Sequence, residues 1–151
     1  MLGVVYMHYM RSERELLKDC ACHRLRTAAR VVTRSYDEAL RPSGLRASQF
    51  AVLAAATADE VLSITSLASF LGMDRSTLTR NLRPLESQGL VRVGVEGWRR
   101  SRALEITAKG RAKLASALPH WQQAQRALQR KLGGERWDLI RSELEELIRL
   151  A

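Results

Sequence analysis

The sequence predicts a mainly α-helical fold carrying one small β-hairpin, and three observations lead there. Apolar residues recur at helical spacing along most of the chain, most clearly at Leu78, Leu82 and Leu85, which stand at i, i+4 and i+7. Directly afterwards, Val91, Val93 and Val95 alternate with polar or small residues, and Ala103, Leu104 and Ile106 form a second short apolar run. Two such runs around a glycine-containing, arginine-rich tip read as a β-hairpin. Finally, both chain ends hold helical patterns longer or more apolar than a small core can cover.

The first helix is expected from Glu13 to Leu40. Ser12 followed by Glu15 forms a capping box, in which each side chain satisfies a free backbone N–H. Leu17, Ala21, Leu25, Ala28, Val32, Tyr36 and Ala39 keep helical spacing, and Pro42 with Gly44 ends the run. At ~1.5 Å per residue the helix is about 40 Å long, which suggests contact with a second subunit. A second helix follows from Ala47 to Thr57, with Phe50, Leu53 and Ala54 facing inward. The third, Ile64 to Leu71, has Ser63 as N-cap and Gly72 as terminator.

A fourth helix begins near Asp74, whose charge favours a helix N-terminus. Its leucines share one side. At 100° per residue Ser76, Arg80, Arg83 and Ser87 point the opposite way, with Thr77 and Thr79 on the flanks. Pro84 falls inside it, where proline removes a hydrogen bond and clashes with the preceding turn. A bend is expected there rather than an end, because Leu85 keeps the stripe in phase. After the hairpin, Thr107 opens a helix that runs past Pro119 to Gly133-Gly134, and a last helix starts near Glu135.

A helix with a leucine back and a Ser/Thr/Arg front suits a DNA major groove, where arginine reads guanine and hydroxyls hold phosphates. An ordinary solvated surface helix has the same pattern. The order of elements is more specific: two short helices around a glycine turn, then a hairpin tipped by Trp98, Arg99, Arg100 and Arg102, define a winged helix-turn-helix. Charge agrees. The 151 residues carry 25 Lys and Arg against 16 Asp and Glu, a formal charge of +9 that favours a polyanionic partner. Charge alone does not separate a sequence-specific regulator from a nonspecific nucleoid-architectural protein.

Other chemistries have little support. His8, His23 and His120 are scattered, with neither a Gly-rich phosphate loop nor a Ser/His/Asp order, so no enzyme and no cofactor are expected. Cys20 and Cys22 stand near His23, but Cys-x-Cys on one helix points its thiols roughly 200° apart. Such a pair neither shares a metal ion nor bridges. No stretch approaches the ~20 apolar residues of a membrane span. The opening MLGVVYMHYM lacks the features of a secretory signal. It reads equally as a dimer-swapped arm, a tail or an over-extended translation start.

The run from Leu67 to Gly110 resembles the MarR family of bacterial transcriptional regulators. The matching residues are Leu67-Ala68, Met73 through Arg80, Leu85-Glu86, Gly89-Leu90-Val91, Arg99-Arg100 and Leu104 through Gly110. One departure stands in the wing, where Trp98 replaces the acid that usually precedes the arginine pair. By length, and with no internal linker, the chain reads as a single domain over 1–151, and the resemblance implies a DNA-binding lobe at about 45–107 and dimerisation helices at about 11–40 and 108–151. It also implies a cytoplasmic, nucleoid-associated homodimer on a pseudo-palindromic double-stranded operator.

DNA contact is then assigned to Arg75, Ser76, Thr77, Thr79, Arg80 and Arg83 of the fourth helix and to Arg99, Arg100 and Arg102 of the wing. A small organic effector is implied in the crevice between dimerisation helices and lobe. Tyr36, Phe50 and Trp121 are its candidate lining, although each also reads as plain core. The thiols leave a further alternative, an oxidation-sensing regulator, because Lys18, Arg24 and Arg26 near Cys20 and Cys22 favour a thiolate on an exposed sulfur. Buried packing of the cysteines is the competing expectation.

Overall fold

In the computed structural model, residues 13–57, 62–94 and 103–150 are described. Seven α-helices and a three-stranded sheet are found among them. Packing divides the chain into two compact units, 1–35 and 36–151. Between positions 15 and 35 every residue is exposed except Cys20 and Val32, which are half-buried.

The N-terminal helix differs from expectation. It is two helices, α1 (Glu13–Asp19) and α2 (Ala21–Leu40), parted at Cys20. The cause is local. The Arg24 side chain donates from Nε to the Lys18 carbonyl, a bond that an unbroken helix makes with the N–H of Cys22. The backbone regains its ladder when Arg24 N–H reaches the Cys20 carbonyl at 3.0 Å. The premise that both thiols ride one continuous helix therefore fails. Cys20 is half-buried, Cys22 exposed, and both are free.

In the second unit a 3-10 turn (Arg41–Ser43) leads from α2 into α3 (Ala47–Ala55). Helix α3 stops two residues short of expectation, where Thr57 Oγ1 donates to the Ala54 carbonyl at 2.6 Å. Helix α4 (Ile64–Phe70) is capped by Ser63, whose Oγ accepts from Ser66 N–H at 3.0 Å. Gly72 takes a φ of 60° in the turn that follows, a left-handed conformation that side chains resist. Helix α5 (Arg75–Ser87) then starts at its N-cap Asp74 and runs through Pro84 without ending.

Strands β2 (Val91–Val93) and β3 (Ala103–Ile106) pair antiparallel, with Val91 opposite Ile106 and Val93 opposite Leu104. These are the expected hairpin arms; the wing tip lies outside the described residues. A third strand, β1 (Leu62–Ser63), pairs with β3 on its other side and was not foreseen. Two residues are too short for alternation to mark a strand. Helix α6 (Ala108–Leu132) is capped by Thr107 and passes Pro119; Gly133 separates it from α7 (Gly134–Leu150).

One core holds the second unit together. Leu78, Leu82 and Leu85 of α5 bury fully or almost so against Leu40, Leu53, Leu67, Leu90 and Ile106. Each such leucine contributes roughly 1.5–3 kcal/mol on leaving water, so the stripe fixes which side of α5 faces solvent.

Candidate nucleic-acid interface

With its leucines buried, α5 presents Ser76, Arg80, Arg83 and Ser87 as exposed residues on the opposite side. Arg75, Ser76, Thr79, Arg80 and Arg83 line one shallow concavity on that surface. The structure thus brings together five of the six residues assigned on this helix; Thr77 does not line the concavity but accepts a hydrogen bond from Arg80 Nη2 at 3.2 Å. Arg99, Arg100 and Arg102 of the wing lie outside the described residues.

The hydroxyls behave differently from the arginines. Ser76 Oγ donates to Asp74 Oδ1 at 2.5 Å, and Thr77 Oγ1 donates to Asp74 Oδ2 at 2.6 Å. Thr79 Oγ1 turns back to the Arg75 carbonyl at 2.8 Å, and Ser87 Oγ to the Pro84 carbonyl at 3.0 Å. A hydroxyl has a single proton to donate. All four on α5 are therefore engaged within the protein, and the free donors on this surface belong to the arginines.

Asp74 organises the start of the helix. Hydrogen bonds from the Ser76 hydroxyl, the Thr77 hydroxyl and the Thr77 backbone N–H hold its carboxyl well below the usual carboxylate range. It is ionised at neutral pH and serves as a charged N-cap, with Thr77 N–H at 2.8 Å. On the core side, Ser48 Oγ of α3 donates to Asn81 Oδ1 at 2.9 Å, while Asn81 Nδ2 donates to the Thr77 carbonyl at 3.1 Å. This link between α3 and α5 was missed in the sequence. Its only signal was a polar residue, Asn81, beside the leucine stripe.

The three aromatic residues named as a ligand wall do meet. Phe50 and Trp121 stack with centroids 5.6 Å apart and planes at 8°, and Tyr36 tilts against Trp121 at 6.3 Å. Tyr36 Oη donates to Gln125 Oε1, and burial raises its pKa above the ordinary phenol value. Phe50 is buried and Trp121 half-buried against the core, so the cluster is packed on itself.

A core-anchored helix with a cationic outer face, preceded by a capped turn and followed by a β-hairpin, defines a winged helix-turn-helix DNA-binding protein. Comparison with known proteins narrows that class. The profile of the MarR family matches residues 45–93. The Mycobacterium tuberculosis transcriptional regulator MosR, in complex with DNA, is 40% identical over 87% of this chain and 95% of its own, with a TM-score of 0.78. A transcriptional repressor, CouR, bound to p-coumaroyl-CoA, is 28% identical over 88% of this chain and 94% of its own, also at 0.78. CouR bound to a 23-mer DNA duplex superimposes at 0.75 with 28% identity, over 87% of this chain and 94% of its own. No curated protein matches the sequence. The chain belongs to the MarR family and is a DNA-binding transcriptional regulator, not an enzyme. Among the described residues no helix is long and apolar enough to cross a membrane.

Proposed function

We propose that the chain is a homodimeric repressor that grips a pseudo-palindromic operator with two copies of α5 and lets go when a small organic effector binds. The observation that carries this reading is the exposed pair Arg80 and Arg83 opposite the buried leucines, with Arg75 lining the same concavity. Guanidinium groups pair bidentately with guanine edges and with phosphates. Two α5 helices related by a twofold axis would enter successive major grooves about 34 Å apart. The wing arginines Arg99, Arg100 and Arg102 are assigned to the backbone or minor groove beside each half-site.

Effector release draws support from CouR, whose structures include one with p-coumaroyl-CoA and one with DNA. Tyr36, Phe50 and Trp121, which pack on one another in this chain, are the residues assigned to its wall, and a ligand would have to part them. A ligand that prefers one spacing of the recognition helices shifts the population toward it, and a misfit of a few ångströms loses one half-site. The protein would act in the cytoplasm, on the nucleoid.

The test is operator affinity, measured against random competitor DNA at moderate salt, for wild type and the Arg80→Ala, Arg83→Ala double variant. A lost guanine contact costs about 1–3 kcal/mol of discrimination, and a lost phosphate contact lowers the salt slope by about one unit. Wild-type affinity and slope in the double variant reject the assignment of α5. A wild-type protein that random DNA competes away equally well is a nonspecific architectural protein instead.

A second reading, release by thiol oxidation, is favoured by one observation. Cys20 sits in the break between α1 and α2, half-buried, with Cys22 exposed two residues on and both thiols free.

A further inference from the structure

Thr77 occupies the junction of two polar paths on α5. Its hydroxyl proton goes to Asp74 Oδ2 at 2.6 Å, and its hydroxyl oxygen accepts from Arg80 Nη2 at 3.2 Å. Its carbonyl accepts from Asn81 Nδ2 at 3.1 Å, and Asn81 is tied to Ser48 of α3 at 2.9 Å. The hydroxyl therefore has no proton left for a phosphate or a base acceptor. Ionised Asp74 polarises that hydroxyl and strengthens it as an acceptor for the guanidinium.

An exposed arginine side chain loses up to about 2 kcal/mol of rotamer freedom when a single geometry is imposed. A partner that holds it in place before binding removes part of that cost. Arg80 is exposed, stands on the groove-facing side, and is held by one nitrogen only in this network. The rest of its planar fork is left to pair with a base edge.

We propose that Thr77 is a positioning residue rather than a DNA contact: with Asp74 behind it, it orients the Arg80 guanidinium and thereby sets how strictly one base pair is read. The inference rests on the reading of α5 as the recognition helix. It removes Thr77 from the contact set assigned on sequence and gives it a role through its neighbour. Thr79, whose proton goes to the Arg75 carbonyl, has no comparable link to an arginine side chain among the described hydrogen bonds.

The experiment uses the full-length protein and the preferred duplex that wild type selects from a randomised pool, with every base pair then substituted singly. Arg80→Ala identifies the base pair that Arg80 reads. Thr77→Val keeps the branched shape and removes the hydroxyl; Thr77→Ser keeps the hydroxyl. Thr77→Val is expected to lose about three- to tenfold of discrimination at that same base pair, with an unchanged salt slope. Thr77→Ser should restore it, and Thr77→Val combined with Arg80→Ala should read no worse than Arg80→Ala alone.

A Thr77→Val protein with full discrimination overturns the proposal. So does a lowered salt slope, or additive losses in the double variant, either of which makes Thr77 an independent contact. Melting curves recorded on each variant separate these outcomes from loss of fold, and a Thr77→Val protein that melts early while Thr77→Ser fails to restore discrimination also overturns it. An Arg80→Ala protein that reads every base pair as wild type does, or a pool that yields no preferred duplex, rejects the recognition-helix reading itself.

Discussion

A Cβ placed on Gly110 would lie 2.0 Å from the carbonyl oxygen of Leu90 and 2.8 Å from Cγ1 of Ile106. The first turn of α6 thus crosses the backbone leading into β2 with no room for a side chain. Thr107, one residue before α6, stitches the same corner: its Oγ1 donates to the Gly89 carbonyl at 2.7 Å, and its N–H donates to the Leu90 carbonyl at 3.1 Å. Lys109 adds a bond from Nζ to the Gln88 carbonyl at 2.7 Å, at the C-terminal end of α5, where a cation is favoured. The end of α5, the base of the hairpin and the start of α6 are therefore one joint.

Gly110→Ala is expected to destabilise the protein by about 3 kcal/mol or more, because the nearest obstacle is backbone and cannot rotate away. Thermal melting checks it. An alanine variant with a wild-type midpoint shows that α6 can shift off the hairpin at little cost, and the joint is then not rigid.

Much of this was legible in the sequence, and the reasons differ by element. The leucine stripe of α5 was readable because three leucines at helical spacing leave a single core-facing side. Ser63 was readable because a small oxygen side chain before an apolar run satisfies a free helix N–H, and Asp74 because a negative charge favours a helix N-terminus; both are caps, as is Thr107, read only as a helix start. Gly110 was visible only as part of a resemblance, since its cause is a contact with Leu90, 20 positions earlier. At the Cys20 break the Arg24 side chain takes the Lys18 carbonyl, and spacing carries no trace of that. Spacing also predicted hydroxyls turned to the groove. It gives direction from the helix axis but not the partner, and Asp74 and two backbone carbonyls took those protons.

Asp74 makes stability depend on pH. Its folded pKa lies below the ordinary value through the hydrogen bonds from Ser76 and Thr77, so the ionised form favours the fold. That contribution is complete above the unfolded pKa of ~3.9 and is lost as pH falls through the folded value. Asp74→Ala should therefore melt below wild type at pH 7, and the gap should shrink at pH 3 and further at pH 2. A gap of equal size at all three shows that the carboxylate charge is not what caps α5.

The last helix has no buried residue. Leu144 and Leu147 are each 43% exposed, and Ile148 is 76% exposed, an apolar stripe at i, i+3 and i+4 that a monomer leaves in water. On the homodimer reading a second copy covers it. Leu144→Glu with Ile148→Glu is expected to halve the sedimenting mass at micromolar concentration. Operator affinity should then fall by orders of magnitude, because a monomer forgoes the linked second half-site. A variant that sediments as wild type does moves the subunit contact elsewhere.

The thiols decide between the two triggers. Cys20 is half-buried at the break and Cys22 is exposed; both are free in the structure. In reducing buffer the Cys20→Ser, Cys22→Ser variant should bind the operator within about twofold of wild type, since changes away from core and caps are usually worth under ~0.5 kcal/mol. On the effector reading, mild peroxide alters neither the affinity nor the non-reducing gel mobility of either protein. On the oxidation reading, peroxide weakens wild type and spares the double variant. A thiol first becomes a sulfenic acid, transferring two electrons to the peroxide, and the second thiol then displaces water to close a disulfide. A bond within one chain leaves the gel mobility near that of the monomer, whereas a bond between subunits doubles the apparent mass. Mass spectrometry of the peroxide-treated protein tests the first, as the loss of two hydrogens on the peptide that holds both cysteines. Finding that loss together with weakened operator binding replaces the small-molecule trigger with a redox one.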